Sequence, residues 1–351
     1  MAAKEMRAAR LYKAGDPLVV ECVPVPTPEA HEVLVEVAAC GLCGTDIHLA
    51  VEGDLPVSRT PITLGHEAAG VIAALGASVT EFVVGQRVAL FPSAICGACR
   101  FCRAGRESLC QASKVYGMSR DGGLAQYVAA PAFGVLPIPD ALPFAQAAIV
   151  TDGVATPFHA LRTRGALKVG EAVAVVGCGG LGTHAIMLAR MMGAGFIVAI
   201  DVQSEARERA LDLGADLAID PQTEPNVGKV IRRHVGRGVD LALEFVGRAE
   251  SVEVALGTLD TGGRAVVVGV GSARPLLPPL VSFVGREFSV IGSFGMDKRD
   301  IVDLLALIAR GRLDLSRSVT QVYPLADINK ALNRLVSKDA GVVRLVVEPG
   351  C

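Results

Sequence analysis

Two short segments concentrate residues whose types and spacing could do chemistry. The run from Cys40 to His48, C-G-L-C-G-T-D-I-H, is followed by Gly65-His66-Glu67. Cys43 and His66 are good zinc ligands, and Thr45, Asp46, His48 and Glu67 put polar or titratable groups close to them in sequence. Cys40 and Cys43 also read as a C-x-x-C redox pair, although the βαβ setting of a thioredoxin-like site is missing around them.

A second cysteine group is more self-contained. Cys96, Cys99, Cys102 and Cys110 lie three, three and eight residues apart in a polar stretch with Gly97 and Gly105. Four thiolates in a short loop suit a closed tetrahedral zinc site, which leaves no position for substrate and is therefore structural. Such binding is worth about 10–16 kcal/mol, comparable with the stability of a whole domain.

The third group is Gly177-Cys178-Gly179-Gly180-Leu181-Gly182, a G-x-G-x-x-G string. It follows the apolar run Ala172–Val176, opens a helical stretch, and precedes a second apolar run that ends in Asp201, nineteen residues after Gly182. That is the full context of a dinucleotide fingerprint. Gly177 permits the turn, Gly179 lets backbone approach a pyrophosphate, and Gly182 allows close helix–strand packing. Asp201 favours NAD over NADP, because a carboxylate accepts the ribose hydroxyls and repels a 2′-phosphate.

These groups need elements to hold them. Up to about residue 150, short valine-rich runs broken by Gly and Pro (His31–Ala39, Ala68–Leu75, Gln86–Phe91, Ala125–Ala129) suggest a β-rich unit. From Ala172 to Val290 the pattern changes. Apolar runs at Ala172–Val176, Phe196–Ile200, Leu217–Ile219, Val239–Val246, Gly263–Val270 and Phe288–Ile291 alternate with helical stretches such as Leu181–Met192 and Ser204–Leu213. This predicts an α/β domain with a doubly wound parallel sheet. Helices near Ile301–Arg310 and Ala326–Ser337 and a strand at Val342–Val347 complete the chain. The expected division is residues 1–153 with 296–351, carrying a cysteine lobe at about 92–112, and an inserted dinucleotide domain at 154–295.

Composition narrows the function classes. The chain has 351 residues, a formal charge of -2, 51% apolar residues, 4% aromatics and no Trp. Neither an electrostatic footprint for nucleic acid or an anionic membrane nor stacking platforms for single strands are present. The first eleven residues carry several charges and no apolar core of signal-peptide length, so the expected location is the cytoplasm. Nine cysteines, an odd number, without a secretory signal argue for metal ligation over a disulfide framework.

Taken together, C-G-L-C-G-T-D-I-H, G-H-E-A-A-G, the cysteine lobe and G-C-G-G-L-G occur in the order found in zinc-dependent medium-chain alcohol dehydrogenases, and the chain resembles that family over essentially its whole length. The resemblance implies a Rossmann domain inserted in a GroES-like catalytic domain, two zinc ions per subunit (one catalytic, one structural), and NAD as cofactor. It implies that Cys43 and His66 ligate the catalytic zinc and Cys40 does not. Asp152 falls where the family's third ligand stands, with Glu67 as its rival. It implies a proton relay through Thr45 and His48, with Asp46 orienting His66 through its non-ligating nitrogen. Thr156 and the backbone of Val268–Val270 match positions bordering the nicotinamide, and Arg344 matches a residue that contacts the pyrophosphate. Gly44 departs from the Arg or His that many members place at the cofactor phosphates. An apolar pocket drawing on Phe91, Leu55 and Met118 is expected, as is a homo-oligomer, commonly a tetramer. The expected reaction is hydride transfer between an alcohol (primary, secondary or cyclic) and NAD, giving an aldehyde or ketone. The alternatives are reduction of an activated C=C bond, oxidation of a CoA-linked cyclic alcohol, and a non-catalytic, zinc-stabilised NAD-binding protein.

Overall fold

The computed structural model describes residues 4–337, 339 and 341–350. Two compact units are present: Met1–Gly153 together with Asp297–Cys351, and Val154–Met296. No helix among the described residues is long and apolar enough to cross a membrane.

The first unit is built on a mixed sheet whose long central strand is Glu32–Leu42. Glu67–Leu75 pairs antiparallel on one side of it, with Gly41 opposite Glu67. On the other side lies Arg344–Glu348, also antiparallel, with Val346 opposite Gly41 and Val347 opposite Cys40. Arg87–Leu90, Val135–Pro137, Tyr127–Pro131 and Val319–Pro324 extend the sheet. A smaller sheet pairs Glu5–Leu11 with Val19–Pro24 and Ile62–Thr63. Side chains of Val33, Val35, Leu42, Leu64, Leu124, Leu325, Leu345 and Val347 meet in one apolar core. Burial of this kind removes apolar area from water at about 25 cal/mol per Å², and it joins residues from both ends of the chain.

The second unit carries six parallel strands in the spatial order Leu217–Ile219, Phe196–Ile200, Ala172–Val176, Val239–Glu244, Leu259–Val267, Ser289–Gly292. Every residue of Ala172–Val176 is buried, as expected for a central strand covered on both faces. The chain leaves this strand in one direction, then returns to lay Val239–Glu244 on its other side. That reversal creates a crevice at the carboxyl ends of the two strands, where doubly wound sheets bind ligands.

Several boundaries differ from the sequence reading. The strand expected at Gly263–Val270 runs instead over Leu259–Val267, so Val268 and Val270 lie beyond its end. The helix expected from Ile301 begins at Lys298, because Asp297 and Asp300 close a capping box ahead of it. Thr156 is the second residue of a short helix. It lies within Ala155–His159, preceded by a π-helical turn at Val150–Val154. Pro157 has no N–H, and its ring crowds the carbonyl four residues back; a widened turn relieves that conflict.

Gly177 has φ +86°, a left-handed conformation that suits glycine, and a Cβ at Gly182 would stand 1.9 Å from the Gly177 carbonyl oxygen. A Cβ at Gly179 would meet nothing within 4 Å. Gly182→Ala should therefore lose about 1–3 kcal/mol in chemical denaturation. Gly179→Ala should lose under about 1 kcal/mol, the cost of a poorer helix cap. Equal losses at the two positions would contradict this packing.

Candidate functional site

Cys43 follows the strand Glu32–Leu42 and caps the short helix Gly44–Ile47. Its Sγ accepts the Thr45 N–H at 3.3 Å. His66 precedes the neighbouring strand and follows Gly65, whose φ is +94° and whose Cβ would collide with Cys40 Sγ and the Leu124 backbone. Asp152 stands on the π-helical turn, a widened geometry that often marks functional positions. Cys43 Sγ lies 3.1 Å from His66 Nε2, and His66 Nε2 lies 3.6 Å from Asp152 Oδ2. One ligand atom each from Cys43, His66, Glu67 and Asp152 falls within 4.8 Å of the others.

That spacing fits a metal. Tetrahedral ligands around zinc stand roughly 3.3–3.8 Å apart, given bonds of 2.0–2.3 Å. The electrostatics point the same way. Burial raises the Cys43 thiol and the Asp46 carboxyl, which lack enough positive charge nearby. Burial by itself lowers His66, but Cys43 and Asp152 outweigh it and hold the imidazole well above its ordinary value. The pocket thus draws a positive charge to the point where these donors converge.

Asp46 has a backbone partner that the sequence reading did not foresee. Its Oδ2 accepts the Cys43 N–H at 3.0 Å, closing a capping box, and makes no bond to His66. Being the third residue of the helix, it serves the backbone first. Asp46 Oδ1 and His66 Nδ1 are both buried without a hydrogen-bond partner.

Arg344, expected at a pyrophosphate, ion-pairs with Glu67 in a setting where the side chains are 4% and 0% exposed. The sheet register explains the pairing. Gly41 lies between the two strands, and a Cβ there would stand 2.2 Å from Glu67 Oε2. Glu67 Oε2 and Arg344 Nε have no hydrogen-bond partner. Burial raises Glu67, and Arg344 offsets part of the rise. Nothing in the local sequence near either residue signals this partnership.

Removing one member of such a pair leaves a bare buried charge, at about 3–5 kcal/mol. Glu67→Gln and Arg344→Met should each cost that much in urea unfolding. The double variant should recover at least part of the loss, and strict additivity would contradict the pairing.

Thr45 and His48 sit one helical turn apart, the spacing that puts two side chains on one face. His48 Nδ1 lies 2.8 Å from Glu52 Oε2 and 3.1 Å from Asp54 Oδ1, two partners that the sequence reading missed. A Cβ at Gly44 would meet nothing within 4 Å. Phe91 is buried, while Leu55 and Met118 pack against the core of the first unit.

Between the short strands Ser93–Ala94 and Lys114–Val115, the Sγ atoms of Cys96, Cys99, Cys102 and Cys110 gather within 4.8 Å of one another. Cys96 Sγ is 3.9 Å from Cys102 Sγ and 3.6 Å from Cys110 Sγ, too far for a disulfide bond and right for ligands of one metal. Backbone N–H groups of Cys102 and Gln111 pull the Cys99 thiol down to about 6, while burial pushes Cys102 up to about 12. A dication would relieve the buried thiol and use the thiolate-favouring donors. Ser108 N donates to Asp297 Oδ1 at 3.0 Å and Lys298 N to Glu107 Oε2 at 3.2 Å, tying the lobe to the start of the helix Lys298–Ala309 in the same unit.

In the second unit, Gly177 to Gly182 form the turn between Ala172–Val176 and the helix Gly180–Met191, which Gly179 caps and whose first turn holds Gly180 and Leu181. Asp201 Oδ2 accepts the Cys178 N–H at 2.7 Å and Oδ1 the Gln203 N–H at 2.9 Å. Thr156 is buried, Val268 is buried and Val270 is exposed. Glu244, fully buried at the end of its strand, accepts from Val246 N, Gly247 N and Ser251 Oγ and so fixes the next loop at the crevice. The sequence reading took it as part of an apolar strand.

Residues 29–140 match the family model described as the alcohol dehydrogenase GroES-like domain, and residues 180–310 match the zinc-binding dehydrogenase model. An alcohol dehydrogenase of Geobacillus stearothermophilus is 36% identical over 94% of this chain and 96% of its own. A sorbitol dehydrogenase of Bacillus subtilis is 31% identical over 99% and 98%. Among solved structures, a zinc-binding dehydrogenase of Sinorhizobium meliloti bound to NADP superposes with a TM-score of 0.87 at 32% identity, covering 99% of this chain and 100% of that one. With these likenesses spanning both units, the chain belongs to the zinc-dependent medium-chain alcohol dehydrogenase family and is an NAD(P)-dependent oxidoreductase.

Proposed function

We propose that this protein is a zinc- and NAD-dependent dehydrogenase that transfers hydride between a small alcohol and NAD, with one catalytic and one structural zinc per subunit. The convergence of Cys43 Sγ, His66 Nε2 and Asp152 Oδ2 carries the reading. These three residues would hold the catalytic zinc, and Cys96, Cys99, Cys102 and Cys110 the structural one. Asp152 is favoured over Glu67 as third ligand because Glu67 is already paired with Arg344. Zinc bound there would supply Lewis-acid chemistry toward a substrate oxygen.

The remaining roles fall to the chain's own groups. Oxidation releases a proton, which has to leave the site. Thr45 Oγ1 accepts it, and His48 passes it to solvent. Glu52 and Asp54 lie against His48 Nδ1 and hold the ring in place. Asp46 holds the Cys43 backbone, and its free Oδ1 is the natural acceptor for His66 Nδ1–H once the imidazole turns its other nitrogen to a metal. In the second unit the Gly177–Gly182 turn cradles the pyrophosphate at a helix N-terminus, supported by the open space over Gly179. Asp201 accepts the adenosine ribose hydroxyls, while Thr156, Val268 and Val270 border the nicotinamide.

NADH formation across a panel of alcohols, with and without a chelator, tests the reaction. Asp152→Ala should lower the tightly bound zinc from two per subunit to one and abolish turnover. Retention of both zincs in that variant, with loss in Glu67→Ala, would reverse the ligand assignment. His48→Ala should slow turnover and regain part of it with added base, and an unchanged pH–rate profile would remove His48 from the relay.

We also propose that the protein is a homo-oligomer, a tetramer on the family resemblance. The helix Leu280–Gly285 has no buried residue, Val281 is 83% exposed, and Leu276, Leu280 and Val284 are exposed with it. In the same unit Ser289–Gly292 is an edge strand with Val290 exposed. A second copy laid on this apolar strip would cover both it and the unpaired edge. Val281→Glu with Val284→Glu should shift the protein to smaller species in sedimentation, and an unchanged distribution would place the interface elsewhere.

A further inference from the structure

His48 receives two carboxylates on a single ring nitrogen, and the local backbone is shaped to deliver both. The π-helical turn His48–Glu52 ends on Glu52, whose Oε2 lies 2.8 Å from His48 Nδ1. The Gly53 N–H closes that turn by donating to the His48 carbonyl at 2.8 Å. Gly53 has φ +69°, a left-handed conformation that turns the chain back on itself. Asp54 follows it and reaches the same nitrogen, with Oδ1 at 3.1 Å and Oδ2 at 3.2 Å. The turn is braced by the loop between the strands Glu5–Leu11 and Val19–Pro24. Gly15 N donates to the Ala50 carbonyl at 2.8 Å, and a Cβ at Gly53 would stand 2.8 Å from Ala14 Cβ.

A carboxylate accepts hydrogen bonds and has none to give, so both neighbours ask for a proton on Nδ1. In a neutral imidazole the other nitrogen, Nε2, then keeps the lone pair. Among the described residues nothing bonds to Nε2, and the side chain is 31% exposed. Packing alone does not choose a tautomer for a ring so placed. The hydrogen bonds at Nδ1 do.

We propose that Glu52 and Asp54 are positioning residues that hold His48 in the tautomer protonated at Nδ1, which makes Nε2 the atom that takes up the proton released by alcohol oxidation. This rests on the proposed relay through Thr45 and His48. The proton count closes: the neutral ring gains one proton at Nε2 and then surrenders one to water. While a carboxylate keeps the proton on Nδ1, the ring returns to the same form, ready for the next turnover. Both carboxylates address one nitrogen, so either suffices. Both are also about half exposed, at 52% and 54%, which makes their contribution one of direction more than of stability.

Nitrogen-15 NMR of the His48 ring tests the assignment on the zinc-loaded full chain, without cofactor or substrate, at a pH where the ring is neutral. The signal is identified by its loss in His48→Ala. The natural chain should show a protonated Nδ1 and a bare Nε2, and Glu52→Ala and Asp54→Ala should each keep that pattern. The double alanine variant should give a mixture of tautomers. Its kcat should fall about tenfold with KM little changed, part of the roughly 10²–10⁴ that a positioned acid or base contributes. Glu52→Gln with Asp54→Asn should also give a mixture, because an amide can donate to Nδ1 as well as accept from it. Glu52→Ala with Asp54→Glu should restore both the single tautomer and turnover. A natural chain with a bare Nδ1, or a double alanine variant with the tautomer unchanged, would overturn the proposal. So would a changed tautomer with undiminished kcat where His48→Ala is slow. If His48→Ala turns over as fast as the natural chain, the relay itself is absent and the proposal falls with it, a result told apart by an intact tautomer pattern.

Discussion

Desolvation of charge is the constraint on which the first unit depends. Cys43, Asp46, His66, Glu67 and Arg344 are all buried, in a place where water cannot compensate them. An isolated buried charge is too costly to persist, so each group must find a partner, change protonation state or attract an ion. Arg344 answers for Glu67 and the Cys43 backbone for half of Asp46. What remains, a thiol, an imidazole and the carboxylate of Asp152, is what the proposed zinc would balance. The sheet register delivers this arrangement: Gly41 alone leaves room between neighbouring strands for the Glu67 carboxylate.

The second unit meets a different requirement, close approach of backbone to backbone. Gly182 lets a helix sit against the Gly177 carbonyl, and the carboxylates of Asp201 and Glu244 bind N–H groups that the strand ends would otherwise leave bare. The crevice is therefore lined by backbone already fixed before any ligand arrives. Rigidity of that kind lowers the ordering cost of binding.

Much of this was legible in the sequence, and what was not has a common cause. The strands of the second unit show because central parallel strands are apolar on both faces, as in Ala172–Val176. The cysteine lobe and the glycine turn are compact in sequence, so their spacing carries their geometry. The strands Glu5–Leu11 and Val319–Pro324 went unread because charged and polar residues interrupt them: Glu5, Arg7 and Arg10 in the first, Thr320 and Gln321 in the second. The Glu67–Arg344 pair joins residues 277 positions apart, and no local pattern encodes such a distance. The capping role of Asp46 was hidden because a helix of four residues with its own capping need is hard to see in advance. Glu244 was hidden by the apolar run it ends.

The pairing of Arg344–Glu348 with Glu32–Leu42 has a consequence for how the molecule comes into being. A ribosome delivers Cys43 and His66 early, but the guanidinium that neutralises Glu67 emerges almost three hundred residues later. Until then the nascent first unit has an open sheet beside its half-built charge cluster, while the whole of Val154–Met296 has already been made. The inserted unit, complete in sequence, is free to fold on its own during this interval, as domains do during synthesis. Maturation of the candidate metal pocket is thus timed by the last strand of the chain, and a nascent chain stopped short of Arg344 would display Cys43 and His66 without the sheet that buries them.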